Sequence, residues 1–310
     1  MELSLLLGEQ IISLFLMGMM GYIVIKCGIL KAKDSRVLSV LVVYVFAPCS
    51  ILNSFQIAYT SDKISGLVIV FIIAFVVHFF FILFVKLLSK VWKLNAIEKA
   101  SIIYTNCGYL LMPLVAGVMG EEWLLYVAIY STVFNMLVWT HGTSLIRNKT
   151  TLQWKQIIIN PNIIASAVGV LIFLMQFKFP AVISNVTAGV GRMVGPASIM
   201  VIGMLIGNID LKKAFKNKKI YAICFVRLII LPLIVIGFYK MFGTVGIHPQ
   251  GKDIIRITLL AASAPVATAV AQIAQIYHED AEYASLINAV SVILCIMTMP
   301  LTILVYELLL

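Results

Sequence analysis

Long, uninterrupted runs of apolar residues make up most of the chain, and short polar or Gly/Pro-containing breaks separate them. The run LVIVFIIAFVVHFFFILFVKLL at 67–88 exceeds the roughly 20 residues that an α-helix needs to cross about 30 Å of hydrocarbon. The runs do not alternate between polar and apolar positions. This excludes an outer-membrane barrel, whose strands of about 10 residues alternate in polarity. The pattern predicts an all-α integral membrane protein.

The runs predict ten transmembrane helices. The first begins at Leu5 after MELS, with no basic segment and no small-residue cleavage site, so we expect a retained helix and not a signal peptide. The seventh span has the weakest signal because its first half, VISNVTAGVGR, is only weakly apolar. The predicted spans are 5–25, 37–58, 64–88, 100–119, 123–146, 161–177, 182–208, 219–242, 254–276 and 283–309.

Composition agrees with this pattern, since 62% of the 310 residues are hydrophobic, only 12% are charged and the mean hydropathy is +1.06. The net charge of +10 therefore indicates membrane orientation and not a nucleic-acid partner. The five cysteines stand singly, with no spacing typical of a zinc site, a redox pair or a disulfide framework.

Lys and Arg cluster in the loops after spans 1, 3, 5 and 7. The positive-inside rule makes these loops cytoplasmic, so both termini are predicted to be extracytoplasmic in a cell membrane. The loop after span 9, YHEDAEY, is acidic and is an exception to the pattern.

The two halves of the chain resemble each other. APCSIL at 47–52 and GPASIM at 195–200 share Pro, Ser and Ile in register, and the same offset places Gly21 on Gly169. Each half holds five spans, an odd number, so the second copy would lie inverted in the membrane. We predict one five-helix repeat at 1–150 and a second, inverted repeat at 151–310.

A shift of 158 residues places NCG at 106–108 on APV at 264–266, so spans 4 and 9 are equivalent, and both carry helix breakers near mid-membrane. Span 4 has Asn106, Gly108 and Pro113, and span 9 has Pro265. Irregular backbone at this depth is tolerated only where it faces protein or a wet cavity. If both helices open and cross, half-helix N-termini near Gly108 and Val266 would make a positive pocket for an anion. The alternative is a simple kink, which is common in membrane helices.

Other polar side chains are predicted around this cavity. They can bind a carboxylate or a sodium ion, or serve as ordinary contacts between helices. These residues are Tyr104, Thr105, Ser263, Thr268, Gln272, Asn135 and Asn288.

Charged and titratable residues within the spans are few. Arg227 is expected to snorkel towards the cytoplasmic surface, which leaves Arg192 as the better candidate for holding an anion. Glu9, His78 and His141 are the only candidates for carrying a proton, and coupling to protons or sodium stays open. No metal site, cofactor motif or enzyme motif is present in the sequence, so an enzyme is not predicted.

Three stretches of the sequence resemble the auxin efflux carrier family. They are MGYIVIKCGILKAKDSRVLSVLVVYVFAPCSIL at 18–52, NPNIIASAVGVLIF together with VGPASIMVIGMLIG at the start of the second half, and APVATAVAQIAQIYHEDAEYASLINAVSVILCIMTMPLT at 264–302. Only about 14 residues separate spans 5 and 6, so the long central loop of many plant members is absent and a bacterial-type member is indicated.

The resemblance implies a ten-span inverted-repeat transporter, a fold shared with bile acid/sodium symporters and sodium/proton antiporters, and usually a homodimer. It implies a scaffold of spans 1, 2, 6 and 7, and a mobile domain of spans 3–5 and 8–10 that carries the crossover. Family members have an Asn and a Pro at the crossover, matched here by Asn106 and Pro265. The chain departs from the family pattern at Cys107 and Tyr109, and no Asn stands beside Pro265.

These observations predict a secondary transporter in the lipid bilayer that moves a small organic anion, a malate-like or auxin-like carboxylate, by an elevator-type motion. The alternatives are a membrane sensor that binds a metabolite or lipid without moving it, a channel and, least of all, an intramembrane enzyme. The predicted substrate-binding residues are Asn106, Cys107, Gly108, Tyr109, Pro113, Ser263, Ala264, Pro265, Val266 and Asn135.

Overall fold

The computed structural model describes residues 2–107, 110–148, 158–208 and 217–309. Helix makes up 84% of the described residues, which contain one isolated β-bridge but no strand. Short 3₁₀ turns at Ala32–Asp34 and Thr244–Ile247 lie between helices. The helices are α1 (Glu2–Lys26), α2 (Ser35–Ser54), α3 (Ser61–Trp92), α4 (Ala96–Ile103), α5 (Leu111–Val118), α6 (Glu121–Arg147), α7 (Pro161–Leu174), α8 (Ala181–Gly191), α9 (Val194–Asn208), α10 (Lys218–Met241), α11 (Gly251–Ser263), α12 (Thr268–Ile276) and α13 (Ala281–Leu309).

Within the described ranges, six helical segments are long and apolar enough to cross a membrane by length and composition. They are α2, α3, α6, the consecutive pair α8–α9, α10 and α13. Two further apolar helices, Ile12–Lys26 within α1 and Pro161–Leu174, are shorter. The prediction of an all-α protein with membrane-spanning helices is confirmed at this level.

Large apolar side chains cover the outside of the helices as well as filling the core. Phe79, Val91, Val182 and Met297 are all largely exposed, while the centre is a continuous apolar cluster. A water-soluble protein does not expose apolar surface on this scale. The outer surface is therefore suited to lipid.

The predicted breaks are present in the described residues. One helical path stops at the end of α4 and resumes at α5, and a second stops at the end of α11 and resumes at α12. The start of α4 is fixed by a capping box, in which Asn95 and Glu98 exchange side-chain-to-backbone hydrogen bonds of 2.9 Å.

Three of the long helices contain a π turn, a wide turn with one extra residue. These turns lie at Val42–Phe46 in α2, Val138–Gly142 in α6 and Val226–Ile230 in α10. Such turns are uncommon and are frequent at functional sites. Those in α6 and α10 carry His141 and Arg227.

Helices α1 and α9 pack in very close contact through small residues. A Cβ atom added at Gly203 would lie only 1.8 Å from the carbonyl oxygen of Gly18. On the same faces, a Cβ at Gly21 would lie 2.2 Å from the Met200 carbonyl oxygen. Small residues allow this approach of backbones, which is a common way of joining membrane helices.

Candidate functional site

The two helix interruptions meet each other through their backbones. Asn106 N–H donates to the Pro265 carbonyl at 2.7 Å, and Ala267 N–H donates to the Tyr104 carbonyl at 3.0 Å. The pairing is antiparallel and forms the isolated bridge described above. The crossover, defined here as residues 104–106 and 265–267, is therefore one small paired unit.

Two buried polar side chains at the crossover each have an atom without a geometric hydrogen-bond partner among the described residues. Thr105 is 0% exposed and Asn106 is 2% exposed, and the unpaired atoms are Thr105 Oγ1 and Asn106 Nδ2. A buried donor without a partner costs about 1–3 kcal/mol. Such groups persist where a ligand or an ordered water supplies the missing bond.

Helix α13 supplies hydrogen-bond partners for the buried backbone groups of Val266 at the second break. Ser291 Oγ accepts from Val266 N–H at 3.0 Å, and the side-chain amide of Asn288 donates to the Val266 carbonyl. Asn288 was predicted to line the cavity, whereas Ser291 was missed. Its signal was a second polar residue one helical turn after Asn288 in an apolar run.

Arg227 is completely buried and lies against both broken helices. Its guanidinium donates to the carbonyls of Ile102 at 3.2 Å and Ala264 at 3.3 Å, and also to the Ala262 carbonyl. These carbonyls belong to the ends of α4 and α11, which carry partial negative charge. The ring of Phe81 covers the guanidinium, 5.1 Å away.

The prediction that Arg227 snorkels is wrong, because its side chain is completely buried. The side chain of Arg192 is 70% exposed and pairs with Glu121 at 3.0 Å. The sequence gives the depth of Arg227 along its helix but not the direction of its side chain. A lone cation in an apolar run was nevertheless a usable signal.

Aromatic residues and histidines form one wall beside the crossover. His78 and Tyr130 have ring centroids 5.5 Å apart, and neither His78 Nε2 nor the Tyr130 hydroxyl has a partner among the described residues. The Tyr104 hydroxyl lies 2.7 Å from His141 Nδ1 and 3.0 Å from the Leu137 carbonyl oxygen. Both predicted proton carriers among the histidines thus lie near the crossover, whereas Glu9 is exposed.

The remaining predicted site residues have different surroundings. Ala264, Pro265 and Val266 lie at the crossover as described, and the carbonyl of buried Cys107 accepts from Ser131 at 3.4 Å. The hydroxyl of Ser263 is used within its own helix, where it donates to the Leu259 carbonyl at 2.7 Å.

Pro113 and Asn135 lie apart from the paired segments. Pro113 occupies the first turn of α5, where its carbonyl accepts from Gln10 at 3.4 Å. Asn135 is half-buried on α6, and no hydrogen bond joins it to the crossover within the described ranges. Gly108 and Tyr109 lie outside the described residues.

The half-helix N-termini begin later than predicted. Helix α5 starts at Leu111 and α12 at Thr268, instead of near Gly108 and Val266. The physical reason is visible at the second break, where pairing across the crossover and the bond to Ser291 use the N–H groups of Val266 and Ala267. The start of α12 has no side-chain cap among the described residues.

Two cavities adjoin this region. An apolar cavity of about 330 Å³ lies between α1, α9 and α13 and reaches Leu110 and Cys295. A much smaller one of about 20 Å³, the size of a single water, lies between α2, α9 and the start of α12. The small cavity is lined by Thr268 and by Ser198, whose buried hydroxyl has no partner in the described chain.

The sequence was compared with protein-family models and with curated proteins. The model described as a membrane transport protein matches twice, over residues 6–152 and 145–303, so that the two matches together span nearly the whole chain. The chain belongs to this family. The membrane transport protein family is the auxin efflux carrier family, which confirms the resemblance seen in the sequence. It is a family of transporters and not of enzymes. The sequence matches no curated protein.

Membership of the membrane transport protein family, together with the apolar helices, establishes a multi-pass membrane protein. Within the described residues no three His, Cys, Asp or Glu side chains are grouped as metal ligands. The polar groups at the crossover that can donate to a ligand are instead the side-chain amide of Asn106 and the N–H groups at the start of α12.

Proposed function

We propose that this membrane transport protein carries a small organic anion, a carboxylate, across the membrane by alternating access, with the crossover as its binding site. The observation that carries the proposal is the buried, unpaired side-chain amide of Asn106 at the contact between two broken helices. A side-chain amide without a partner has N–H groups that can donate to a carboxylate oxygen.

The charge around the site favours an anion. The starts of α5 and α12 each carry roughly half a positive charge, and Arg227 balances the partial negative charge at the ends of α4 and α11. Among the described residues no Asp or Glu forms a salt bridge with Arg227. The local charge is therefore positive.

The large cavity favours a monocarboxylate with an apolar body over a dicarboxylate. Its lining comes almost entirely from apolar side chains, and it extends from Leu110, next to the break, along α1 towards Tyr22. A dicarboxylate such as malate would have to bury its second charge there without a partner, which is strongly unfavourable. An auxin-like aromatic or aliphatic monocarboxylate suits this space.

The proposed architecture is ten spans in two inverted five-helix repeats, 1–150 and 151–310. Three observations support it: two successive matches of one family model, a break at the corresponding place in each half, and two related packings, α1 with α9 and α2 with α7. In this proposal α1, α2 and α7–α9 form a scaffold, and α3–α6 with α10–α13 form a mobile domain that moves like an elevator. The termini are extracytoplasmic in the cell membrane, and the carrier is a homodimer.

Uptake by purified protein in proteoliposomes tests the binding site. Asn106→Ala is expected to abolish binding and uptake of an aromatic monocarboxylate while the protein stays folded, because the unpaired amide is lost. Asn185→Ala, at an exposed position on α8, is the matched control and is expected to behave as the wild type. Unchanged uptake by Asn106→Ala would defeat the assignment, and ligand binding without counterflow would indicate a sensor instead of a carrier.

A further inference from the structure

Arg227 occupies a cage of backbone carbonyls that comes from two broken helices. The oxygens of Ile102, Ala262 and Ala264 lie in or just after the last turns of α4 and α11, where intrahelical donors are missing. Hydrocarbon offers no donor to such oxygens. The guanidinium satisfies three of them from one side chain.

The charges in the cage balance without a carboxylate. Each helix C-terminus carries roughly −0.5 elementary charge, so the two ends together carry about −1. The guanidinium supplies +1, and none of the described Asp or Glu side chains is in salt-bridge distance of it. The helix ends are therefore its counter-charge.

Secondary transporters use this kind of position for coupling ions. Unwound carbonyls and half-helix C-termini coordinate Na⁺ in discontinuous membrane helices. In this protein the equivalent carbonyls are occupied by a cation that belongs to the chain. A guanidinium stays protonated in proteins, so this positive charge is permanent.

We propose that Arg227 is a built-in replacement for a coupling cation: it fills the carbonyl site at the crossover, so that the transport cycle needs no free Na⁺ or K⁺. The inference rests on the proposed carrier function. It also explains the preference for a single negative charge. With Arg227 balancing the two C-termini, the N-termini of α5 and α12 leave about one uncompensated positive charge for a monoanion.

The test uses four variants and two readouts, thermal stability in detergent and uptake in proteoliposomes. Arg227→Ala empties the cage, Arg227→Met keeps most of the side-chain length without charge, and Arg227→Lys keeps the charge. Arg192→Ala is the control, because Arg192 is an exposed arginine whose charge pairs with Glu121. Each protein is measured in sodium, potassium and choline chloride, and with millimolar guanidinium or urea.

Wild type and Arg192→Ala are expected to give the same Tm and the same uptake in all three salts. Arg227→Ala is expected to lose several degrees in Tm and roughly tenfold or more in uptake, since it leaves two helix ends without a partner. In Arg227→Ala, guanidinium should restore part of the lost Tm and part of the lost uptake, whereas urea should restore neither. Na⁺ should raise the Tm of this variant. Arg227→Lys should retain more uptake than Arg227→Met.

Three results would overturn the proposal. One is a wild type that needs Na⁺ for uptake, and another is an Arg227→Met variant as active as Arg227→Lys. The third is an Arg227→Ala variant that responds equally to guanidinium and urea. If no carboxylate is transported at all, the proposed function fails, but the dependence of Tm on cations still decides the role of Arg227. If Arg227→Ala does not fold, the uptake of Arg227→Lys compared with that of Arg227→Met still tests the role of the charge.

Discussion

The carboxylate of Glu98 on α4 lies 2.8 Å from the ammonium of Lys219 on α10, and the Glu98 side chain is almost completely buried. The same carboxylate accepts a hydrogen bond from the Tyr283 hydroxyl of α13 at 3.0 Å and one from Asn95 N–H at 2.9 Å. One side chain therefore joins the starts of three helices, including the first half of a broken one.

Glu98→Ala is expected to lower the free energy of unfolding by about 1–3 kcal/mol, because it removes a cap and leaves the Tyr283 hydroxyl without its acceptor. Thermal unfolding in detergent measures the effect. Glu279→Ala, which removes an exposed carboxylate, should leave the Tm unchanged. Equal Tm values for the two variants would contradict the joining role of Glu98.

Gly203 is expected to tolerate no side chain. Gly203→Ala places a methyl group 1.8 Å from the Gly18 carbonyl oxygen, so α1 and α9 must separate, at a cost of about 1–3 kcal/mol or more. Gly237→Ala is the control, because a Cβ there has no neighbour within 4 Å. The control should be neutral or slightly stabilising, as alanine favours a helix over glycine. A Tm for Gly203→Ala at or above that of the control would be the contrary result.

Ser291→Ala is expected to leave the Val266 N–H buried without an acceptor, which costs about 1–3 kcal/mol. Transport should fall as well, since the second break is no longer held in place. Thr298→Val on the same helix removes a buried hydroxyl that has no partner among the described residues, so its stability should not fall. The prediction is lost if both variants unfold at the wild-type temperature.

The contact between the breaks can be tested by a disulfide. Thr105 and Val266 are paired between two flanking backbone hydrogen bonds, an arrangement in which the Cα atoms lie about 4.5 Å apart. Cysteines at both positions are therefore close enough for a disulfide. In a background without the five native cysteines, oxidation should link the two halves of a chain that is cut between them.

In the control, one cysteine stays at position 105 and the other replaces Asn185 on α8, while Val266 is left unchanged. This pair is expected to stay unlinked under the same oxidation. Failure of the pair at 105 and 266 to link in folded protein, under conditions that oxidise a surface pair, would mean that the two breaks do not meet.

Much of the helix arrangement could be predicted from hydrophobicity alone. The run at 67–88 became α3, Ser61–Trp92, because an apolar helix in hydrocarbon has no competing structure. The breaks were also predictable, since Asn106 and Pro265 interrupt apolar runs. Without them, each run would form a regular helix whose backbone groups are hydrogen-bonded to one another. These are local properties of the sequence.

The partners of the broken backbone were not predictable, because they depend on contacts between distant segments. Arg227 is more than 100 positions away from Ile102, and Ser291 is well separated from Val266 along the chain. The starts of α5 and α12 were placed too early for the same reason. Pairing between the two breaks extends the non-helical stretch beyond what one segment alone would show.

The π turn at Val226–Ile230 has a consequence for how mutations in α10 should be interpreted. An extra residue in one turn shifts the angular phase of all later positions by about 100° relative to a regular helix. A single helical wheel drawn through the whole segment would therefore assign lipid-facing and protein-facing positions wrongly on one side of that turn. Deleting one residue there would restore the regular phase and rotate the two ends of α10 against each other.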